Sequence, residues 1–299
     1  MLNRLLRHSR SNRWATAGVE GVRRLRERVL YRLGNNLSLR ASIPSFIAAD
    51  ADYAIQIARG YLQTFEPHFD LSRAAILELG PGINFGPQLI LASCGAHITV
   101  ADRFLSRWHR HYHPRIYREL KARWSGPSAA IDRVLQSNGY PADVMTCVAQ
   151  PAECLADLAD GSFDCVISNA VLEHVYEPRV VAASLARATK AGGYNFHQID
   201  FRDHKDFRRP LEFLLVGAGE YQEQFDRTKG GRGNRWRLGE WTAAFESTGF
   251  RVADVQINDV APEAYFETFV PRLRRTDTVY RDWPENDLRV LGARVCLRR

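Results

Sequence analysis

Between residues 74 and 199 short apolar runs alternate with segments of helical periodicity. A run from Ala74 to Leu79 leads into a glycine-rich turn and an apolar helix from Pro87 to Ser93, and a second run spans His97 to Ala101. Further runs lie near Asp143 to Val148, Phe163 to Ser168 and Tyr194 to Ile199, with a helix predicted over Val180 to Thr189. Short strands alternating with helices predict a parallel sheet covered on both faces, an α/β architecture. Upstream, Ala48 to Phe65 carries apolar residues at helical spacing until Pro67 stops it. Downstream come a helix Leu238 to Ser247, a strand Phe250 to Ile257, a helical stretch Ala264 to Arg274 and a last strand Leu288 to Leu297. Residues 103–142 and 201–237 are too long for plain connections. Such insertions commonly form lids or substrate-binding loops.

At 299 residues the chain can bury an ample core in one large domain with appendages. Its five cysteines are scattered, with no C-x-x-C pair, which argues against a disulfide framework or a zinc ribbon and for a reducing, cytoplasmic setting. No apolar run reaches the roughly 20 residues of a membrane span, and the first ten residues lack the apolar core of a secretory signal. The net charge of +7 is concentrated at one end: residues 1–40 hold ten arginines and two glutamates, +8 in all, so residues 41–299 sum to −1. A near-neutral body gives no strong nucleic-acid signal. Within the basic stretch Val22, Leu25, Val29 and Leu33 recur at helical spacing. The chain therefore divides into a basic helical segment, 1–47, and a main domain, 48–299. The basic helix either packs on its own domain or makes peripheral contact with the inner face of a membrane.

The strand A-A-I-L-E-L runs straight into G-P-G-I-N-F-G, a layout in which glycines let the backbone turn tightly beside a ligand at a helix start. Gly80 and Gly82 are followed by Phe85 where a dinucleotide fingerprint places its third glycine. Glu78 puts a carboxylate before the turn, which suits a cationic ligand better than a pyrophosphate. Asp102, at the end of the second strand, is placed to accept hydrogen bonds from ribose hydroxyls.

E-L-G-P-G, then Asp102, then F-D-C-V-I-S-N-A-V-L-E-H-V, then A-T-K-A-G-G-Y together resemble a class I S-adenosylmethionine-dependent methyltransferase over about residues 74 to 200. The resemblance implies a Rossmann-like, doubly wound seven-stranded sheet whose last strand is antiparallel, with S-adenosyl-L-methionine as cofactor. It implies that Glu78, Gly80, Pro81 and Gly82 meet the methionine part, Asp102 the ribose, and Asn169 the methionine or its methyl. Asn84 stands where many members have a third glycine. Pro151-Ala152 replaces a frequent Asp-Ala pair near the adenine, leaving that role to backbone groups at Ala152 or to Glu153.

Residues 195–204, N-F-H-Q-I-D-F-R-D-H, fall beyond a strand's carboxyl end, where ligands sit in such sheets. Four roles fit His197, Asp200, Asp203 and His204: a histidine base oriented by an aspartate, a divalent metal site, substrate hydrogen bonding, and structural capping. The base role leads, because a sugar or other alkyl hydroxyl has a high pKa and must lose its proton as it accepts a methyl group. No metal is expected, since no i, i+4 histidine pair fixes a geometry. Glu173 and His174 are the rival base pair. The insertion from Arg103 to Trp124 carries seven basic residues against Glu119, with aromatics between them. It reads either as a helix with an arginine-covered face or as a clamp for an anionic acceptor. H-Q-I-D-F-R-D-H followed by N-R-W-R-x-x-E-W-x-x-x-F-E-x-x-G-F, within residues 195–250, further resembles methyltransferases of bacterial surface-polysaccharide biosynthesis, which implies O-methylation of a sugar acceptor. Glycines 230, 231 and 233 suit a mobile lid. An RNA or small-metabolite methyltransferase, or a non-catalytic scaffold of the same fold, are the rival readings.

Overall fold

The computed structural model describes residues 36–299; the basic helix expected around Val22 to Leu33 lies outside them. In chain order the elements are α1 (Leu37–Ser42), α2 (Pro44–Phe65), β1 (Ala75–Leu79), α3 (Gly86–Ser93), β2 (His97–Ala101), α4 (His113–Arg123) and α5 (Ala129–Ser137). Then follow β3 (Met145–Val148), β4 (Phe163–Asn169), α6 (Pro178–Ala188), β5 (Thr189–Asp200), α7 (Ala218–Arg227) and α8 (Leu238–Ser247). The chain ends with β6 (Arg251–Val260), α9 (Glu263–Leu273), α10 (Glu285–Leu288) and β7 (Val290–Arg298). Pro44 at the first turn of α2 starts that helix four residues before the expected Ala48, because a missing N–H costs nothing there.

The seven strands lie in the order β3-β2-β1-β4-β5-β7-β6. β1 to β5 pair in parallel, and β7 runs antiparallel between β5 and β6. The fold is thus the α/β, Rossmann-like doubly wound sheet expected. Side chains alternate between two cores. Leu77, Leu79, Val166 and Ile199 face α6 and α8, while Ile76, Ile98, Ile167 and Phe196 face α2 and α3. β5 begins at Thr189 rather than Tyr194, with a register irregularity opposite Phe163 to Cys165 and Gly192 at φ +78°. No helix among the described residues is long and apolar enough to cross a membrane.

The first insertion is not a loose loop. α4 and α5 pack their apolar faces on α2 and α3, burying Tyr112, Ile116, Tyr117, Leu120 and Ile131. Several of its cations are used internally: Arg123 reaches Asp52 and Glu119, Lys121 reaches Asp132, and Arg115 donates to the Ala41 carbonyl. The amphipathic-helix reading therefore describes most of the segment. The second insertion roofs the carboxyl ends of β4 and β5 and owns a separate core with Leu211, Phe213, Tyr221 and Phe269.

Candidate active site

The site is laid out by the carboxyl ends of β1, β2, β4 and β5. After β1, Gly80 (φ +62°) and Gly82 (φ +75°) take conformations that L side chains rarely adopt. A Cβ at Gly80 would lie 2.4 Å from Val171 Cγ2, so the glycine turn and the turn after β4 touch through this residue. A Cβ at Gly82 would meet nothing, which makes that side of the turn an open cradle. Asn84 Oδ1 accepts from the Gly86 N–H at 2.8 Å, closing the turn onto α3. Asn84 is therefore a turn-former rather than a free ligand group.

Glu78 is buried, and both its oxygens are engaged: Tyr61 Oη donates at 3.0 Å and Gln88 Nε2 at 2.5 Å. Burial pushes its carboxyl up to about 7 against the pull of Gln88 and Tyr61. Its visible work is to tie α2 and α3 to β1. Asp102 accepts from the Phe104 N–H through Oδ1 at 2.5 Å, which holds the carboxylate at the rim of the turn. Glu153, a candidate for adenine, is taken by the Tyr176 N–H at 2.7 Å and faces Arg103 at 3.4 Å. Its carboxylate braces the loop after β3, leaving backbone at Ala152 as the candidate contact there. An open cradle beside two glycines and an aspartate at the rim fit S-adenosylmethionine, whose sulfonium would face the turn after β4.

β4 ends at Asn169, half-buried and 3.4 Å from Tyr53 Oη. Beside it opens a cavity of about 800 Å³ between α2 and the ends of β4, β5 and β7, lined among others by Gln56, Arg59, Thr64, Asn169, Gln198 and Arg294.

The four residues singled out after β5 separate sharply. His197 points to the opposite face of the sheet, fully buried, its ring stacked on Phe245 at 5.7 Å and its Nδ1 paired with Ser168 Oγ at 2.8 Å. A base must reach its acceptor, so this placement does not suit the role expected of it. Asp203, 1% exposed, forms a two-point ion pair with Arg232 at 2.9 and 2.7 Å, clamping the start of the second insertion to its end. It is a strut, not an imidazole partner. Asp200 and His204 do remain together, with His204 Nε2 3.3 Å from Asp200 Oδ2. Burial alone would raise Asp200, but His204 and Arg202 beside it hold its carboxyl well below the usual range.

Glu173 and His174 join this pair. They lie on a 3-10 turn, Leu172–His174, and the His174 and His204 rings are 4.9 Å apart. Sequence order ranked the two pairs as rivals; the parallel pairing of β4 with β5, Asn169 opposite Gln198, brings their following turns together. The glycines expected to loosen a lid do the reverse. Gly230 lets its chain approach the 3-10 turn, and Asn234 binds that turn through Glu173 O, Leu172 O and Val175 O.

The buried imidazole carries a prediction. Burial holds His197 down at about 3, below the ordinary value near 6.5. Its contribution to stability is complete above about pH 6.5 and is lost as pH falls toward 3, at roughly 1.4 kcal/mol per unit when fully engaged. His197→Phe will therefore lose relative stability against the parent at pH 7 and regain it at pH 4 in urea unfolding. Parallel pH profiles would exclude this.

Residues 127–196 match the model of a family described as a methyltransferase domain, a stretch running from α5 into β5 and including Asn169. No curated protein matches the chain. Among solved structures, the chain is similar to an S-adenosylmethionine-dependent methyltransferase from Mesorhizobium loti, with 16% identity over 79% of this chain and 96% of that one (TM-score 0.45). It is also similar to phosphoethanolamine N-methyltransferase 2 of Haemonchus contortus, with 16% identity over 82% and 52% of the chains (TM-score 0.46). Geranyl diphosphate C-methyltransferase from Streptomyces coelicolor A3(2) shows 10% identity over 81% and 79% (TM-score 0.46). With the strand order and the glycine turn, the match over residues 127–196 makes the chain similar to S-adenosylmethionine-dependent methyltransferases.

Proposed function

We propose that the chain methylates a hydroxyl of a sugar, carried in a glycan, a glycolipid or a nucleotide-linked intermediate of surface-polysaccharide synthesis. The observation that carries this reading is the cavity beside Asn169. Gln56, Thr64, Asn169 and Gln198 offer it side-chain amides and a hydroxyl, and Arg59 and Arg294 offer guanidinium groups. Such a wall matches a hydroxyl-rich acceptor that also bears an acid or a phosphate. The bound cofactor supplies an electrophilic sulfonium methyl. The chain's part is to hold the acceptor oxygen in line with it and to take up the hydroxyl proton, a role we assign to His204 with Asp200, which follow the cavity-lining Gln198 at the end of β5 rather than lining the cavity themselves. The roof formed by residues 201–237 keeps water from this end of the sheet. A basic segment at residues 1–40 suits an acceptor held at a membrane surface.

The test is transfer of a labelled methyl group from S-adenosylmethionine to lipid-linked or nucleotide-linked sugars, with the product hydrolysed and its methyl located by mass spectrometry. An ether methyl on a sugar oxygen is the expected product. Label found only on nitrogen, carbon or RNA would overturn the reading.

A further inference from the structure

The turns after β4 and β5 gather Glu173, His174 and His204 so that one donor atom from each lies within 4.8 Å of the others. Glu173 is 3% exposed, and neither of its oxygens has a well-aligned hydrogen-bond partner, although the backbone N–H groups of Glu173 and Asp200 lie nearby. A buried carboxylate without donors is costly, and a cation removes that cost. His204 Nε2 is also buried and unpartnered by any aligned hydrogen bond, although Asp200 Oδ2 stands 3.3 Å away. Two donors sharing one cation at bond lengths of about 2.1 Å stand about 3 to 4 Å apart, so the three donor atoms, within 4.8 Å of one another, need only a small closure to share one ion. His174 Nδ1 donates to the Gly230 carbonyl at 2.8 Å, leaving Nε2 as its free donor atom. That outer contact is the one metal-bound histidines usually make. Only glycine permits it here, since a Cβ at Gly230 would lie 2.6 Å from the His174 carbonyl oxygen.

We propose that this cluster binds a divalent cation through Glu173, His174 and His204, with Asp200 at its edge. Two imidazoles with carboxylate oxygen suit Mn²⁺, Fe²⁺, Co²⁺ or Zn²⁺ better than Ca²⁺. Arg202 engages both Asp200 oxygens, at 2.8 and 2.6 Å, and so limits how fully Asp200 joins the inner donors. Three protein donors leave positions open for the acceptor. The inference rests on the reading of this cluster as the acceptor-activating site and changes how it works. The sugar hydroxyl binds the cation, which makes it more acidic, and loses its proton to water. Its oxygen forms the new O–C bond as the donor's C–S bond breaks, and the thioether leaves neutral. His204 then acts as a ligand rather than a free base, and a cation can hold two neighbouring sugar oxygens at once.

The full chain, stripped with a chelator, is titrated with Mn²⁺ and the free-ion paramagnetic resonance signal followed; Co²⁺ absorption gives a second readout. One equivalent should bind, at least about tenfold more weakly in Glu173→Gln and His204→Asn. Circular dichroism spectra should be unchanged in both variants, which shows that they fold. Absence of Mn²⁺ and Co²⁺ binding by the unmodified chain, or equal binding by the variants, overturns the site. Sugar methylation that persists undiminished in chelator overturns its activating role while sparing the proposed function. A bound cation with no methylated hydroxyl has the opposite meaning.

Discussion

Gly80→Val will lose cofactor binding by at least about a hundredfold while the sheet stays folded, a difference of about 2.7 kcal/mol or more. Two effects act in the same direction. Gly80 sits at φ +62°, where a β-branched residue is strained by about 1–2 kcal/mol. Its Cβ would also enter Val171 Cγ2 at 2.4 Å, and Val171 belongs to the turn that follows Asn169. Relief requires the glycine turn and the β4 turn to separate, which misplaces both walls of the cofactor cleft. Calorimetric titration with S-adenosylhomocysteine reads this, with circular dichroism as the check on folding. Affinity within threefold of the parent would show that the cleft does not depend on this contact.

Arg237→Met will destabilise the chain by roughly 3–5 kcal/mol. Arg237 is fully buried, and its guanidinium donates to backbone carbonyls rather than to a carboxylate. Nη1 donates to Phe201 O at 2.8 Å, and Nη2 donates to Leu288 O at 3.0 Å and to Val290 O. These carbonyls lie just past β5, at the end of α10 and at the start of β7, so one side chain joins the second insertion to the sheet's reversed strand. Burial lowers its own pKa to about 10, a measure of what the site spends to keep the charge. Methionine fills similar volume but leaves the acceptors without donors. Urea unfolding with an unchanged slope and a lower midpoint is the expected result, whereas a change within 0.5 kcal/mol or so would mean water replaces the donors.

The sheet, the glycine turn and Asp102 are legible because each rests on local pattern: alternation of strand and helix, and glycine where φ must be positive. The division of labour after β5 is not local. With both sheet faces covered by helices, the apolar pattern cannot say which face receives a ligand, so His197 and Gln198 look equivalent. The structure sends His197 into the α8 core and Gln198 toward the cavity. Asp203 finds its partner at Arg232, a contact closed only by the folded insertion. Arg237, in the sequence only one residue of the N-R-W-R stretch, is a packing residue. Glu173 with His204 is the pair that strand order alone reveals, since β4 and β5 are neighbours and their exits adjoin.

The central claim is that the open turn after β1 binds the methyl donor. Titration of the unmodified chain with S-adenosylmethionine tests it most directly. One site per chain is expected, with a dissociation constant within about 1 µM to 1 mM, the range usual for enzyme substrates. No heat and no thermal stabilisation at millimolar cofactor would contradict the account.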